Sequence, residues 1–226
     1  MRVLVTGGAS GIGAAIVERF ARAGATGLIL DLTDGAWPTK RVDVRDEDAL
    51  REALTEEFDV VVAAAGVVPP WSSIDQLDLA EWDEVFAVNA RGVAATLKHA
   101  RVVDGGAIVV VASLNSWKGD PNLAAYVASK HAVLGIVRAA ALDLGRRGIR
   151  VNAVGPGPIA TQALLDRMRR REQAGGLSVE EALAAAAAGT ALGRIATARE
   201  VADAVYFLAG ATGITGHLLP VDGGIG

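Results

Sequence analysis

An apolar run, Val3-Leu4-Val5, meets a glycine-studded turn and then an amphipathic stretch from Ala14 to Ala23. No other feature of the chain constrains its fold as much. Glycines at Gly7, Gly11 and Gly13 allow positive φ and close backbone approach, and the following helix start presents unpaired N–H groups to a pyrophosphate. Strand, glycine turn and helix in that order form the opening of a nucleotide-binding βαβ unit. Ser10 and Ile12 lie in the same turn, where Ser10 can tie the loop down or meet a phosphate directly. Asp31 follows a second apolar run, Leu28 to Leu30, at the position where a carboxylate accepts hydrogen bonds from adenosine ribose hydroxyls. Such a carboxylate repels the 2′-phosphate of NADP, so NAD is the expected cofactor.

The rest of the chain repeats this alternation. Strands are expected at Arg41 to Val44, Val60 to Ala64, Ala107 to Val111, Arg150 to Val154 and His217 to Val221. Helices are expected at Asp46 to Glu57, around Trp82, Val85 and Phe86 behind an Asp78 cap, from Leu123 to Leu144, and from Arg199 to Leu208. Alternating strands and helices predict an α/β fold: a doubly wound, Rossmann-like domain with a central parallel sheet and helices on both faces. Gly155-Pro-Gly-Pro158 is a rigid break. Beyond it, residues 157–192 read as a substrate-loop insertion of short helices parted at Gly175-Gly176, within one catalytic domain spanning residues 1–226. The basic run Arg167, Arg169, Arg170 and Arg171 reads as a solvated helix face.

Composition removes other classes. Hydrophobic residues make up 51% of the 226, which argues against disorder, and no stretch supplies the 18 charge-free apolar residues of a membrane span. A formal charge of −4 carries no bias toward nucleic acid. With no cysteine there are no disulfides or thiolate metal ligands, and His99, His131 and His217 form no ligand cluster. No metal is expected. No secretory leader is read at the start, so a cytoplasmic protein is expected.

Tyr126 and Lys130, four residues apart on the long helix, share one face. In a closed site, a nearby ammonium stabilises tyrosinate, so Tyr126 can take a proton from an alcohol or return it to an alkoxide. Ser113 ends the fifth strand, on the edge where parallel sheets gather ligands, and can orient the substrate oxygen. Asn89, inside a helix, needs a partner for its amide and can hold a water that reaches Lys130. Taken one at a time, each of these residues has an equally good structural explanation.

Taken in order they resemble the short-chain dehydrogenase/reductase family. Thr6-Gly7-Gly8-Ala9-Ser10-Gly11-Ile12-Gly13 is similar to its cofactor turn, and Asp43-Val44 to its adenine-side motif. Asn89, Ser113, Tyr126 and Lys130 stand at its four catalytic positions. Pro156-Gly157 and Thr161, with Ile159 between them, resemble the segment near the nicotinamide, and Asp222-Gly223-Gly224 the family's ending. Ala63-Ala64-Ala65-Gly66 departs from the family's Asn-Asn-Ala-Gly, which places Ala65 and Gly66 beside the cofactor without the usual amides. Thr197-Ala198 replaces a frequent proline. The resemblance implies an NAD-dependent enzyme that interconverts a secondary alcohol and a ketone, acting on a small molecule as a homo-oligomer, expected to be a tetramer. A 3-hydroxyacyl-thioester dehydrogenase and a non-catalytic nucleotide-binding regulator are the alternatives. For the substrate pocket the candidates are Val67, Val68, Pro69 and Trp71, then Leu114 and Asn115, with Leu164, Leu165 and Met168 as an apolar lid.

Overall fold

The computed structural model describes residues 1–225. Seven parallel strands, β1 (Arg2–Thr6), β2 (Thr26–Asp31), β3 (Thr39–Arg41), β4 (Glu57–Ala63), β5 (Arg101–Val111), β6 (Arg150–Pro156) and β7 (Leu218–Val221), form one sheet. Their order is β3-β2-β1-β4-β5-β6-β7. Eight α-helices connect or flank them: α1 (Gly11–Arg22), α2 (Glu47–Ala53), α3 (Leu79–Phe86), α4 (Gly92–His99), α5 (Ala124–Leu144), α6 (Gln162–Gln173), α7 (Val179–Ala188) and α8 (Ala198–Gly210). The expected doubly wound α/β architecture is present.

Side-chain alternation along the strands divides the interior in two. Leu4, Val61, Ile108 and Val110 pack on one face with Val93 of α4 and Val133 and Val137 of α5. Val3, Val5, Val60, Val62 and Val109 pack on the other with Ile16 and Phe20 of α1 and Val201, Val205 and Leu208 of α8. Burial on both faces is why these strands read as continuous apolar runs.

Several boundaries differ from the sequence expectation, β5 for one beginning at Arg101 rather than Ala107, and two of the differences have a clear cause. The third strand lies at Thr39–Arg41, not Arg41 to Val44, and pairs with Ile29–Asp31. Val42 and Val44 are buried because they pack into the core after the ladder has ended, so their apolarity marks packing rather than pairing. The helix expected to run to Glu57 stops at Ala53. Leu54 then turns into the core, and β4 begins at Glu57.

β1 has β2 on one side and β4 on the other, so successive connections leave it in opposite directions. A crevice opens at such a switch point, beyond the carboxyl ends of the strands. Thr6, Asp31, Ala63, Val111 and Pro156 all end their strands on that edge. Beyond β6, α6 and α7 lie over it, separated at Gly175, whose φ is +87°.

Candidate active site

The crevice is a cavity of about 1060 Å³. Its nucleotide end is built by β1, the glycine turn and α1. A side chain at Gly13 would run into the carbonyl oxygen of Gly7, and one at Gly7, whose φ is +69°, would meet the Ala65 backbone at 2.7 Å. Only glycine permits this close approach of the turn to the segment after β4. Thr6, 1% exposed, accepts from the amides of Ala64 and Ala65 at 3.2 and 3.3 Å and so fastens the two strand ends together. Ser10 precedes α1 without capping it, and the first turn carries no acidic residue. The helix start and the Ser10 hydroxyl therefore face the crevice as donors, which suits a pyrophosphate.

Asp31 lines the crevice and accepts from the amides of Ala9 at 3.0 Å and Leu32 at 2.7 Å. The nearby guanidinium groups are engaged elsewhere. Arg41 pairs with Asp34 at 2.8 Å, while Arg45 pairs with Asp43 at 2.6 Å and bonds Glu84 at 2.5 Å. The Arg45 guanidinium holds the Asp43 carboxyl below its usual range. Gly7, Ser10, Gly11, Ile12, Gly13, Asp31, Asp43, Val44, Ala65, Gly66, Tyr126, Lys130, Pro156, Gly157, Ile159 and Thr161, the expected cofactor residues, all line this one cavity. The glycine cradle, the uncapped helix start and the strand-end carboxylate fit a nicotinamide dinucleotide.

Ser113, Tyr126 and Lys130 line the other end. Ser113 stands just past β5, where its hydroxyl accepts from the Asn115 amide at 3.1 Å and bonds the Tyr126 phenol. Lys130, 5% exposed, donates from Nζ to the Val111 carbonyl at 3.1 Å and lies 5.6 Å from the centre of the Tyr126 ring. Burial pushes the Tyr126 phenol up, against the Ser113 bond and the Arg167 charge, which pull it down. Burial also lowers the Lys130 ammonium to about 8.

Asn89 stands behind the cavity wall, in a π-helical turn, Ala87–Arg91, between α3 and α4. Its carboxamide accepts from the Val67 amide and donates to the Val67 carbonyl, both at 2.8 Å, and also donates to the Ser129 hydroxyl at 3.2 Å. With these bonds Asn89 clasps the segment that walls the site beside Lys130.

Val67, Val68, Pro69, Trp71, Leu114 and Asn115 line the cavity, as do Leu164 and Met168 of α6; Leu165 does not. The basic run is where the sequence reading fails. Arg167 is no solvated residue: it points into the cavity, with its guanidinium carbon 4.0 Å from the centre of the Trp71 ring. The available signal was helical spacing, since Arg167 falls between Leu164 and Met168 on the same face. Asp120, also missed, lines the cavity and accepts from Asn115 at 3.4 Å.

Comparison with known proteins bears on this site. Residues 7–226 match a family model described as enoyl-(acyl carrier protein) reductase. The chain is 38% identical to short-chain dehydrogenase reductase 5 of Arabidopsis thaliana, over 98% of this chain and 93% of that one. It is 37% identical to cis-4-hydroxycyclohexanecarboxylate dehydrogenase of Sinomonas cyclohexanicum, over 98% and 94%. The crystal structure of an NAD+-bound xylitol dehydrogenase matches with a TM-score of 0.90 at 25% identity, covering 99% of this chain and 98% of that one. With the family comes oxidoreduction of a small molecule by hydride transfer with a nicotinamide dinucleotide. The chain belongs to the short-chain dehydrogenase/reductase family.

Proposed function

We propose that this protein interconverts a secondary alcohol and a ketone, with NAD as its cofactor and Tyr126 as the group that moves the proton. The observation that carries the reading is the grouping of Ser113, Tyr126 and Lys130 at one end of the cavity that Asp31 and the glycine turn line at the other. When bound, the nicotinamide accepts hydride from the carbinol carbon or returns it. The chain's own residues supply the rest. Ser113, bonded to the phenol, holds the substrate oxygen within reach of Tyr126. In oxidation the Tyr126 oxygen takes the hydroxyl proton; in reduction it delivers one to the developing alkoxide. Lys130, when charged, favours the phenolate that oxidation needs. Asn89 positions the Gly66–Val67 wall beside Lys130 rather than touching the reactants.

Preference for NAD follows from Asp31 with Arg41 and Arg45 both paired, which leaves a 2′-phosphate facing a carboxylate. The relatives named above for a cyclic hydroxy acid and a polyol are consistent with secondary alcohols as the substrate class. A homotetramer is also proposed. Phe86, Ala90, Ala94, Ala132 and Ile136 line an open groove where α4 and α5 meet, an apolar surface suited to a second copy; light scattering at the mass of a monomer would rule the assembly out.

The test combines binding and turnover. NADH is expected to bind more tightly than NADPH in side-by-side fluorescence titrations. Tyr126→Phe is expected to lower NADH formation from a panel of secondary alcohols by ~1000-fold while leaving NADH binding within a few-fold. Near-parental turnover in the folded variant would sink the mechanism.

A further inference from the structure

Arg167 carries an unusual burden. Its Nε and Nη2 atoms are both buried and neither has a hydrogen-bond partner among the described residues. Arginine stays charged in proteins, so these donors cannot be relieved by loss of the proton. Burial with no acceptor leaves such donors uncompensated. The nearby acids do not provide the compensation. Asp166 takes Gln162 at 2.8 Å and Arg169 at 2.6 Å, and Asp120 takes Asn115. Asp120 interacts with the guanidinium only through its charge.

The pair of unpartnered atoms is informative. Nε and Nη2 form one edge of the planar guanidinium, with two parallel N–H groups that match the two oxygens of a carboxylate. Trp71 lies against the guanidinium at 4.0 Å, a cation–π contact that restrains the group beside the cavity. Tyr126 lines the same cavity, close enough for its phenolate to be favoured by the Arg167 charge. A restrained fork with no acceptor among the described residues, beside the proton-moving group, suits one chemistry.

We propose that Arg167, held against Trp71, is a substrate-specificity residue that binds the carboxylate of an anionic alcohol or ketone whose reacting carbon sits at Tyr126. This rests on the alcohol-oxidising reading of the cavity and deepens it by naming the substrate class as hydroxy and oxo acids. The carboxylate would pair bidentately with Nε and Nη2 once a shift of Arg167 on the Trp71 ring uncovers that edge, while the carbinol oxygen reaches Ser113 and Tyr126. α6 carries both Arg167 and the apolar Leu164 and Met168, so one helix would read charge and carbon skeleton together.

The test uses ring and chain hydroxy acids of varied spacing between carbinol carbon and carboxylate, each beside its methyl ester. In the parent protein the best acid is expected to exceed its ester in kcat/KM by about 30-fold or more, as for a buried charge pair. Arg167→Met is expected to collapse that ratio toward one, and Arg167→Lys to restore part of it. The ratio is the proper readout, because loss of the Arg167 charge near Tyr126 slows acid and ester alike. An acid-to-ester ratio near one in the parent, or a ratio unchanged in folded Arg167→Met, overturns the proposal. A fall in NADH affinity that accounts for the whole effect does the same, by assigning the guanidinium to the cofactor. Calorimetry with cyclohexanecarboxylate, which has no hydroxyl to oxidise, separates the proposal from the catalytic reading. Binding to the NADH complex that disappears in Arg167→Met supports the anion site even if no alcohol is turned over. Absence of binding in the parent defeats it even if neutral alcohols are oxidised.

Discussion

The two ends of the crevice handle their polar groups in opposite ways. At the nucleotide end, Thr6 and Asp31 already have partners within the chain, as does Asn89 in the wall beside Lys130: the amides of Ala64 and Ala65, of Ala9 and Leu32, and the Val67 backbone. These groups shape the backbone first and meet a ligand second. At the substrate end, Arg167 keeps two buried donors without acceptors among the described residues. A wall completed by its own hydrogen bonds can be shared across a family whose cofactor is shared. A wall that lacks an acceptor awaits one particular ligand, and this is where members of a family can differ.

Packing at glycines provides the strongest attempt to break this comparison. Gly13→Ala would drive a methyl group into the Gly7 carbonyl, and backbone on both sides prevents relief by a side-chain shift. The expected outcome is a loss of at least about 3 kcal/mol in denaturant unfolding, or no soluble protein. At the end of α7, whose Ala186 lines the cavity, a methyl at Gly189 would meet the Ala186 carbonyl oxygen at 3.6 Å, an ordinary contact at an allowed φ. Gly189→Ala should stay within ~0.5 kcal/mol of the parent. Equal losses in the two variants would mean that the nucleotide end is no more rigidly built than the lid.

The same asymmetry explains what could be read from the chain. The glycine turn, Asp31, Ser113 and the Tyr126–Lys130 pair were legible because their spacing is imposed by local geometry. A strand must deliver its last residue to the edge, and residues four apart on α5 must share a face. Asn89 was legible as a position but not as an interaction, because its partner Val67 lies 22 residues earlier and only the fold brings them together. β3 was misplaced because Val42 and Val44 are apolar for a core formed with α2, α4 and α5. Arg167 was misread because its neighbours Arg169 and Arg170 are exposed and the run looked uniform. What separates it from them is a tryptophan 96 residues earlier in the chain (167 less 71), which no local pattern reveals.

Lys130 stands where the two ends meet and gives the comparison a pH signature. Burial lowers its ammonium to about 8 in the folded protein, against about 10.4 when unfolded. Between these values the unfolded chain binds more protons than the native one, so stability rises with pH across that window. Below pH 8 both states are protonated, and the full cost of burying the charge is present. Tyr126 is shifted upward, so its contribution has the opposite sign and enters only near its own higher range. From pH 8 to 10 the parent is expected to gain up to about 2 kcal/mol relative to Lys130→Met, in urea unfolding of the cofactor-free protein. Parallel curves for the two proteins would show that the buried ammonium is solvated after all.

The smallest effect is the sharpest test, because its sign differs between the two ends. Asn89→Ala removes an amide that makes three hydrogen bonds and leaves the Val67 N–H and carbonyl without their partner. Val67 is 43% exposed, so water can take up part of what is lost, and a loss of about 1 kcal/mol is expected. Arg167→Met should do the reverse. It deletes two buried donors that have no acceptor, which relieves a cost of similar kind. It also removes the guanidinium from the Trp71 ring, but a thioether on an aromatic replaces part of that contact. The net expectation is a gain of about 1 kcal/mol, or a rise of about 2–4 °C in Tm for a chain of this size. Differential scanning calorimetry of both variants without ligand reads the two signs directly. A lower Tm for Arg167→Met would mean that the guanidinium finds an acceptor in the free protein, and the contrast between a completed wall and a waiting one would fail. A higher Tm together with a lost acid-to-ester preference would mark Arg167 as a residue kept for its ligand at the expense of the fold, as residues held for function often are.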